Sequence, residues 1–192
     1  MLSDKFREWT YGIRASIARL LGSLGISPNA LTILGYLLNL PVMYALATGH
    51  MPLGGILLAI ASVFDSLDGS LAREMGRVTI FGAFLDSVAD RFSEGTVLLG
   101  LLLWYLQNGG RTEIILIYAA IFGSLMVSYT RARAEGVGIE CKEGLLTRFE
   151  RVILLVAGLI LQQVHLALWV LAILTNITAL QRVYHVWRTT SR

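Results

Sequence analysis

The chain has 192 residues, 55% hydrophobic and only 15% charged, with a mean hydropathy of +0.66. Soluble domains carry about a quarter charged residues, so the composition excludes an ordinary soluble domain and fits a single-domain polytopic membrane protein. The formal charge of +3 reads in so apolar a chain as membrane orientation and attraction to anionic lipid, and nucleic acid is not an expected partner; the single cysteine, Cys141, excludes an internal disulfide or a cysteine metal cluster and reads as a plain loop residue.

Residues 2–21 set Lys5, Arg7, Arg14 and Arg19 among Leu2, Phe6, Trp9, Ile13, Ile17, Leu20 and Leu21 at three- and four-residue steps. The pattern predicts an amphipathic helix lying in the lipid interface, ended by Gly22 and Gly25. A soluble partner-binding helix fits less well, because a spanning segment follows closely. That apolar run after Ser27 is too long, and lacks a small-residue cleavage site, for a cleavable signal peptide.

Ser27 and Pro28 read as a helix start, with Ser27 capping and Pro28 at the first position. A helix from there to about Thr48 spans a membrane, and Asn39 and Pro41 within it can bend it. Asn29 and Thr32, on its first turn, face the cytoplasmic surface either as capping groups or as ligand-binding ones. After the Gly49–Pro52 turn, where His50 reads as solvent-facing, a second helix runs to Arg73 and a third from about Thr79 to Leu106. Arg91 and Glu94 on the third pair with one another or with nearby aspartates.

A fourth helix, from about Thr112 to Glu135, ends in Ser128-Tyr129-Thr130-Arg131-Ala132-Arg133-Ala134-Glu135. A glycine-bearing loop then leads to Arg148-Phe149-Glu150-Arg151. The apolar run from Val152 to Ala179 is about 28 residues, too long for one straight span of roughly 20. Gln162-Gln163-Val164-His165 divides it into a fifth and a sixth helix. With six spans and both termini cytoplasmic, Arg111 alone of the sixteen Lys and Arg faces outside. One unbroken helix would export Arg182, Arg188 and Arg192.

Asp65 and Asp68 are three apart, and Asp86 and Asp90 four apart, so on helices each pair shares a face. The linker Glu74–Thr79 is short enough to fold the two helices back antiparallel, which lets four carboxylates converge. Such a group repels itself unless cations sit in it. Isolated solvated helix-end charges would be the plainer reading, but carboxylates inside apolar segments are costly and default to function. All-oxygen ligation favours Mg²⁺ or Mn²⁺, and Mg²⁺ is usually held together with substrate phosphates. The polar clusters fall at one membrane depth: Asn29 and Thr32, the aspartates, Arg73, Arg131, Arg148 and Arg151, and Gln181 with Arg182. That suits a substrate carrying both phosphates and an acyl chain.

Written out, Asp65-x2-Asp68-Gly69-x2-Ala72-Arg73-x8-Gly82-x3-Asp86-x3-Asp90 resembles, at every fixed position, the signature of the CDP-alcohol phosphotransferases, membrane enzymes that build phospholipids from CDP-linked lipid donors. The resemblance covers nearly all the chain after the interfacial helix. It implies an all-α integral membrane enzyme with an interfacial helix at 1–25, a catalytic domain of six transmembrane helices at 26–192, its site near the cytoplasmic face of the cell membrane, and a homodimeric state. Asp65, Asp68 and Asp86 would ligate a pair of Mg²⁺ or Mn²⁺ ions, with Asp90 as ligand and general base. Arg73 would hold the donor phosphate, Gly69 and Gly82 would make room for cytidine, and Pro28, Asn29, Thr32 and Ala72 would complete the donor site.

The second half is similar to the branch that makes phosphatidylinositol phosphate or its archaeal ether-lipid counterpart. That likeness implies a CDP-diacylglycerol or CDP-archaeol donor and an inositol phosphate acceptor. The acceptor would be held by Ser128, Arg131, Arg133, Arg148, Arg151, Gln181 and Arg182, with Arg131, Arg151 and Arg182 clamping its phosphate. Two positions depart from many or some relatives: Arg131 stands where many bacterial members have Lys, and Asn29 where some have Asp. The competing readings are a sibling transferase using glycerol 3-phosphate or serine, and a divalent-cation transporter. A serine enzyme has no need of three arginines, and a transporter would carry its carboxylates near the bilayer middle, often with inverted repeats.

Overall fold

Ser27 opens the first helix as its sequence suggests: its Oγ accepts from the Ala30 N–H at 3.2 Å, and Pro28 takes the first turn. The computed structural model describes residues 26–74, 76–141 and 144–191. These form α1 (Pro28–Leu37), α2 (Asn39–Ala47), α3 (Met51–Glu74), α4 (Ile80–Asn108), α5 (Arg111–Gly136), α6 (Arg148–Ile160) and α7 (Val164–Thr190). There is no strand among the described residues. The expected interfacial helix at 2–21, and the division at residue 25, lie outside them.

Among the described residues, four stretches are long and apolar enough to cross a membrane: Pro28–Ala47, Met51–Arg73, Arg111–Gly136 and Val164–Thr190. α4 has the length, 29 residues, but carries Asp86, Asp90, Arg91 and Glu94 in its first half. α6 has only 13 residues, about 20 Å of helix, against a hydrocarbon core of about 30 Å. The large apolar side chains left exposed, such as Tyr44, Ile115, Tyr118 and Leu180, suit a hydrocarbon surround.

The expected single helix from Pro28 to Thr48 is interrupted at Leu38, where α1 gives way to α2. Pro41 has no N–H for the carbonyl four residues back, and the Asn39 carboxamide donates to the Gly35 carbonyl at 2.9 Å, supporting the weakened turn. The division between α6 and α7 falls where the glutamines placed it. Gln162 adopts a positive φ of 56°, and the Gln163 N–H closes back on the Gly158 carbonyl at 2.7 Å, the bond that ends a helix in a left-handed cap.

α5 packs along α7, α2 along α4 and α3 along α6, with α1 against α3 and α4. The main core, with Val42, Leu46, Leu101, Ile117, Leu159 and Leu168 at its centre, fills the end away from the aspartates; Leu31, Leu67 and Leu71 form a smaller cluster beside them. α2 and α4 approach so closely that a Cβ on Gly100 would lie 2.6 Å from the Met43 carbonyl oxygen. Gly100→Val is therefore expected to lower stability by about 1–3 kcal/mol through overpacking, read as a reduced Tm in detergent. Cys141 is a loop residue, as expected, but fully buried. His50 is exposed on its turn, with Nδ1 3.0 Å from Thr48 Oγ1.

Candidate active site

The hairpin between α3 and α4 gathers the aspartates. After α3 the chain turns through Gly76 at φ 61°, with the Arg77 N–H on the Ala72 carbonyl at 2.8 Å. Thr79 then caps α4, its Oγ1 accepting from the Gly82 N–H at 2.9 Å. Asp65, Asp86 and Asp90 each present one oxygen within 4.8 Å of the others. Asp68 takes a different position: its Oδ2 accepts from Thr32 Oγ1 at 2.6 Å and its Oδ1 from the Gly69 N–H at 2.5 Å. The Thr32 bond ties α1 to α3 at the site. Three convergent hard oxygen donors suit a divalent cation such as Mg²⁺ or Mn²⁺.

Basic residues surround this cluster in two groups. Arg148, at the start of α6, joins the acidic group: its Nη1 donates to Asp65 Oδ2 at 2.6 Å and lies 2.6 Å from Asp90 Oδ1, there without hydrogen-bond alignment. Arg91 Nη1 is 3.6 Å from Asp90 Oδ2 and donates to its own helix at the Ser87 carbonyl. Arg131, Arg151 and Arg182 form the second group: Arg182 bonds to α5 at Val127, one turn before Arg131, and Arg151 Nη1 donates to the Leu146 carbonyl, whose N–H bonds Thr178 Oγ1 one turn before Arg182. Arg151 sends a two-pronged fork to Glu94, Nε to Oε1 at 2.7 Å and Nη2 to Oε2 at 2.9 Å, so Glu94 pairs across helices and not with Arg91. Arg182 Nη1 donates to the Val127 carbonyl, and Arg131 pairs with Glu135 at the surface, 2.8 Å.

Other expected donor-site and acceptor-site residues are placed around these groups. Asn29 reaches over Gly82, whose added Cβ would be 3.2 Å from Asn29 Oδ1. At Gly69 a Cβ would meet, among the described residues, only the Arg73 guanidinium, at 3.5 Å, so their packing does not demand glycine there. Arg73 is exposed and makes one long contact to Ser70 Oγ, 3.4 Å; Pro28 and Ala72 are part-buried nearby in the sequence of α1 and α3, Ser128 is part-buried on α5, and Arg133 is exposed. Gln181 Oε1 is buried without a hydrogen-bond partner.

Sequence periodicity did not reveal Asn39, Ser62, Ser93 and Ser124, which join Asp65, Glu94, Arg148 and Arg151 in lining a cavity at the edge of the carboxylate cluster. Their signal was small polar residues inside apolar runs, one per helix, too sparse to read alone.

Buried carboxylates in apolar helices call for a cation, and the arginines beside them for an anion. Together they define a membrane-embedded enzyme that handles phosphate groups with a divalent metal. Residues 25–181 match the family model of CDP-alcohol phosphatidyltransferase. The chain belongs to that family and is an enzyme of its class. It is 41% identical over 169 residues to the archaetidylinositol phosphate synthase of Pyrococcus horikoshii, covering 88% of this chain and 87% of that protein. The crystal structure of Mycobacterium tuberculosis phosphatidylinositol phosphate synthase with CDP-DAG bound is similar at a TM-score of 0.87 and 33% identity, covering 91% of this chain and 94% of that one. The same enzyme in complex with manganese and citrate matches at a TM-score of 0.86 and 33% identity, covering 91% and 88%.

Proposed function

We propose that the enzyme transfers the lipid-phosphate group of a CDP-lipid, CDP-diacylglycerol or CDP-archaeol, to a hydroxyl of inositol phosphate and releases CMP. The carrying observation is the gathering of Arg131, Arg151 and Arg182 on α5, α6 and α7, linked through the Val127, Leu146 and Thr178 hydrogen bonds, beside but apart from the α3–α4 carboxylates. A guanidinium carries five N–H donors, more than the Glu94 and Glu135 pairs use, so one substrate phosphate can bind beside those pairs while the reacting one lies at the carboxylates. The archaeal and bacterial relatives, named as inositol phosphate lipid synthases, support this acceptor.

Asp65, Asp86 and Asp90 would hold Mg²⁺ or Mn²⁺, two ions in our reading, with Asp68 completing the set where Thr32 steadies it. Such ions, when bound, neutralise the pyrophosphate and the departing nucleotide phosphate. Asn29, Thr32 and Arg73 bind the donor headgroup, Pro28 and Ala72 shape its site, and Gly69 and Gly82 leave space for cytidine. Asp90 takes the proton of the acceptor hydroxyl as its oxygen bonds to the lipid-side phosphorus. The phosphorus–oxygen bond to CMP breaks, and CMP leaves with that electron pair. Ser128, Arg133 and Gln181 line the acceptor side. Six spans, an interfacial helix at 1–25 ahead of a catalytic domain at 26–192, cytoplasmic termini and a homodimer complete the reading.

Purified protein given either CDP-lipid and a panel of acceptors should release CMP with inositol phosphate, and far less with glycerol 3-phosphate, serine or free inositol. Equal rates with free inositol would end the acceptor assignment. Asp90→Asn should lower kcat by about 10²–10⁴-fold with little change in the KM for the CDP-lipid. Recovery at raised metal concentration would instead make Asp90 a ligand only.

A further inference from the structure

A cation already sits among the carboxylates. Arg148 Nη1 is 2.6 Å from Asp65 Oδ2 and 2.6 Å from Asp90 Oδ1, oxygens of two of the three side chains that converge. Arg91 reaches Asp90 alone, at 3.6 Å, and the Arg151 fork is taken by Glu94. A divalent ion ligated at about 2.0–2.2 Å by these carboxylates would bring two like charges together if the guanidinium stayed.

We propose that Arg148 is the internal counter-ion of the metal site, neutralising Asp65 and Asp90 until a divalent cation displaces it. The inference rests on Asp65 and Asp90 being metal ligands. Its side chain is free enough to make the exchange: it is 34% exposed, against 4% for Arg151. It also sits on the first residue of α6 and borders the cavity, so it can withdraw without crossing the packed core. Two consequences follow from the chemistry. The carboxylates stay gathered in the absence of metal, and metal binds more weakly than the same oxygens would allow, because it must first expel a charge-assisted hydrogen bond.

The test is Mn²⁺ binding to detergent-purified protein without substrate, by calorimetry. Arg148→Gln should bind Mn²⁺ about tenfold tighter or more than wild type. Arg91→Gln, which removes an equal charge that touches only one aspartate at longer range, should gain no more than about threefold. The Arg148→Gln protein without metal should also unfold at lower temperature than wild type and recover more on adding Mn²⁺. Wild-type or weaker affinity in Arg148→Gln overturns the counter-ion, and so does an equal gain in Arg91→Gln. Unchanged Mn²⁺ binding in Asp65→Asn overturns the metal reading beneath it. The wild-type protein supplies a readout that needs no variant. Phenylglyoxal modification of Arg148, read by peptide mass, should rise several-fold when Mn²⁺ replaces EDTA, whereas protection by Mn²⁺ would mean that the guanidinium stays in place.

Discussion

Asp86→Asn protein, purified and folded, is expected to release no measurable CMP from a CDP-lipid, and Asp65→Asn to behave alike. Each carboxylate contributes one of three oxygens that lie within 4.8 Å of one another. A carboxamide keeps the shape but removes the charge that holds a hard dication. If these oxygens hold the metal, losing one of them would remove electrostatic stabilisation of the departing phosphate, where a single preorganised donor is already worth about 10²–10³-fold in other enzymes. EDTA should silence the wild type, and Mn²⁺ should restore it but not the variants. Asp86 is only part-buried and Asn keeps its shape, so the helical content and elution volume should be unchanged. Full turnover in EDTA would remove the metal from the reaction altogether.

The second large effect is on stability as much as on activity. Arg151 is 3% exposed and its fork on Glu94 is closed at 2.7 and 2.9 Å. Arg151→Ala leaves the part-buried Glu94 charged without its partner, a loss that reaches about 3–5 kcal/mol where both partners are fully buried. The variant is expected to show a sharply lower Tm in detergent, beyond any rise in the acceptor KM. Glu94→Gln combined with Arg151→Gln should recover much of the stability, since two amides can still hydrogen-bond, while the acceptor KM stays high. If the double variant regained both stability and acceptor affinity, Arg151 would be a structural residue and the acceptor phosphate would be held elsewhere. A weakened affinity for the CDP-lipid would point the same way.

The aspartates were legible because helical spacing alone fixes their face. Asp65 with Asp68 and Asp86 with Asp90 sit at three- and four-residue steps on either side of a short turn, so geometry leaves little freedom, although spacing did not show that Asp68 turns to Thr32 while the other three converge. The break at Gln162 was legible for a similar reason: 28 apolar residues exceed one span, and only the glutamine pair interrupts them. The arginines were not, since Arg148 and Arg151 differ by three positions on one helix turn, yet one meets Asp65 on α3 and the other Glu94 on α4. Which partner each finds depends on how α6 is rotated against α3, a consequence of the packing of Leu155 and Leu159 in the core that periodicity does not encode. The place of the kink was hidden too. Asn39 and Pro41 announce a bend, but the Asn39 bond to Gly35 sets it at Leu38.

The cavity beneath the carboxylates also bears on permeability. A recess lined by charged side chains inside a membrane protein is a step towards an ion leak, and here apolar side chains share its lining. Leu58, Val97, Leu98, Leu155 and Leu171 are among its lining residues. Following each helix away from the site, the next inward side chains, Val42, Leu46, Leu101, Ile117, Leu159 and Leu168, have no accessible surface at all. Such a close-packed apolar layer offers water no hydrogen-bond partner, so it acts as a dielectric plug. The enzyme can therefore keep acids, arginines and a metal at one end of the bundle without short-circuiting the ion gradients of the membrane that houses it.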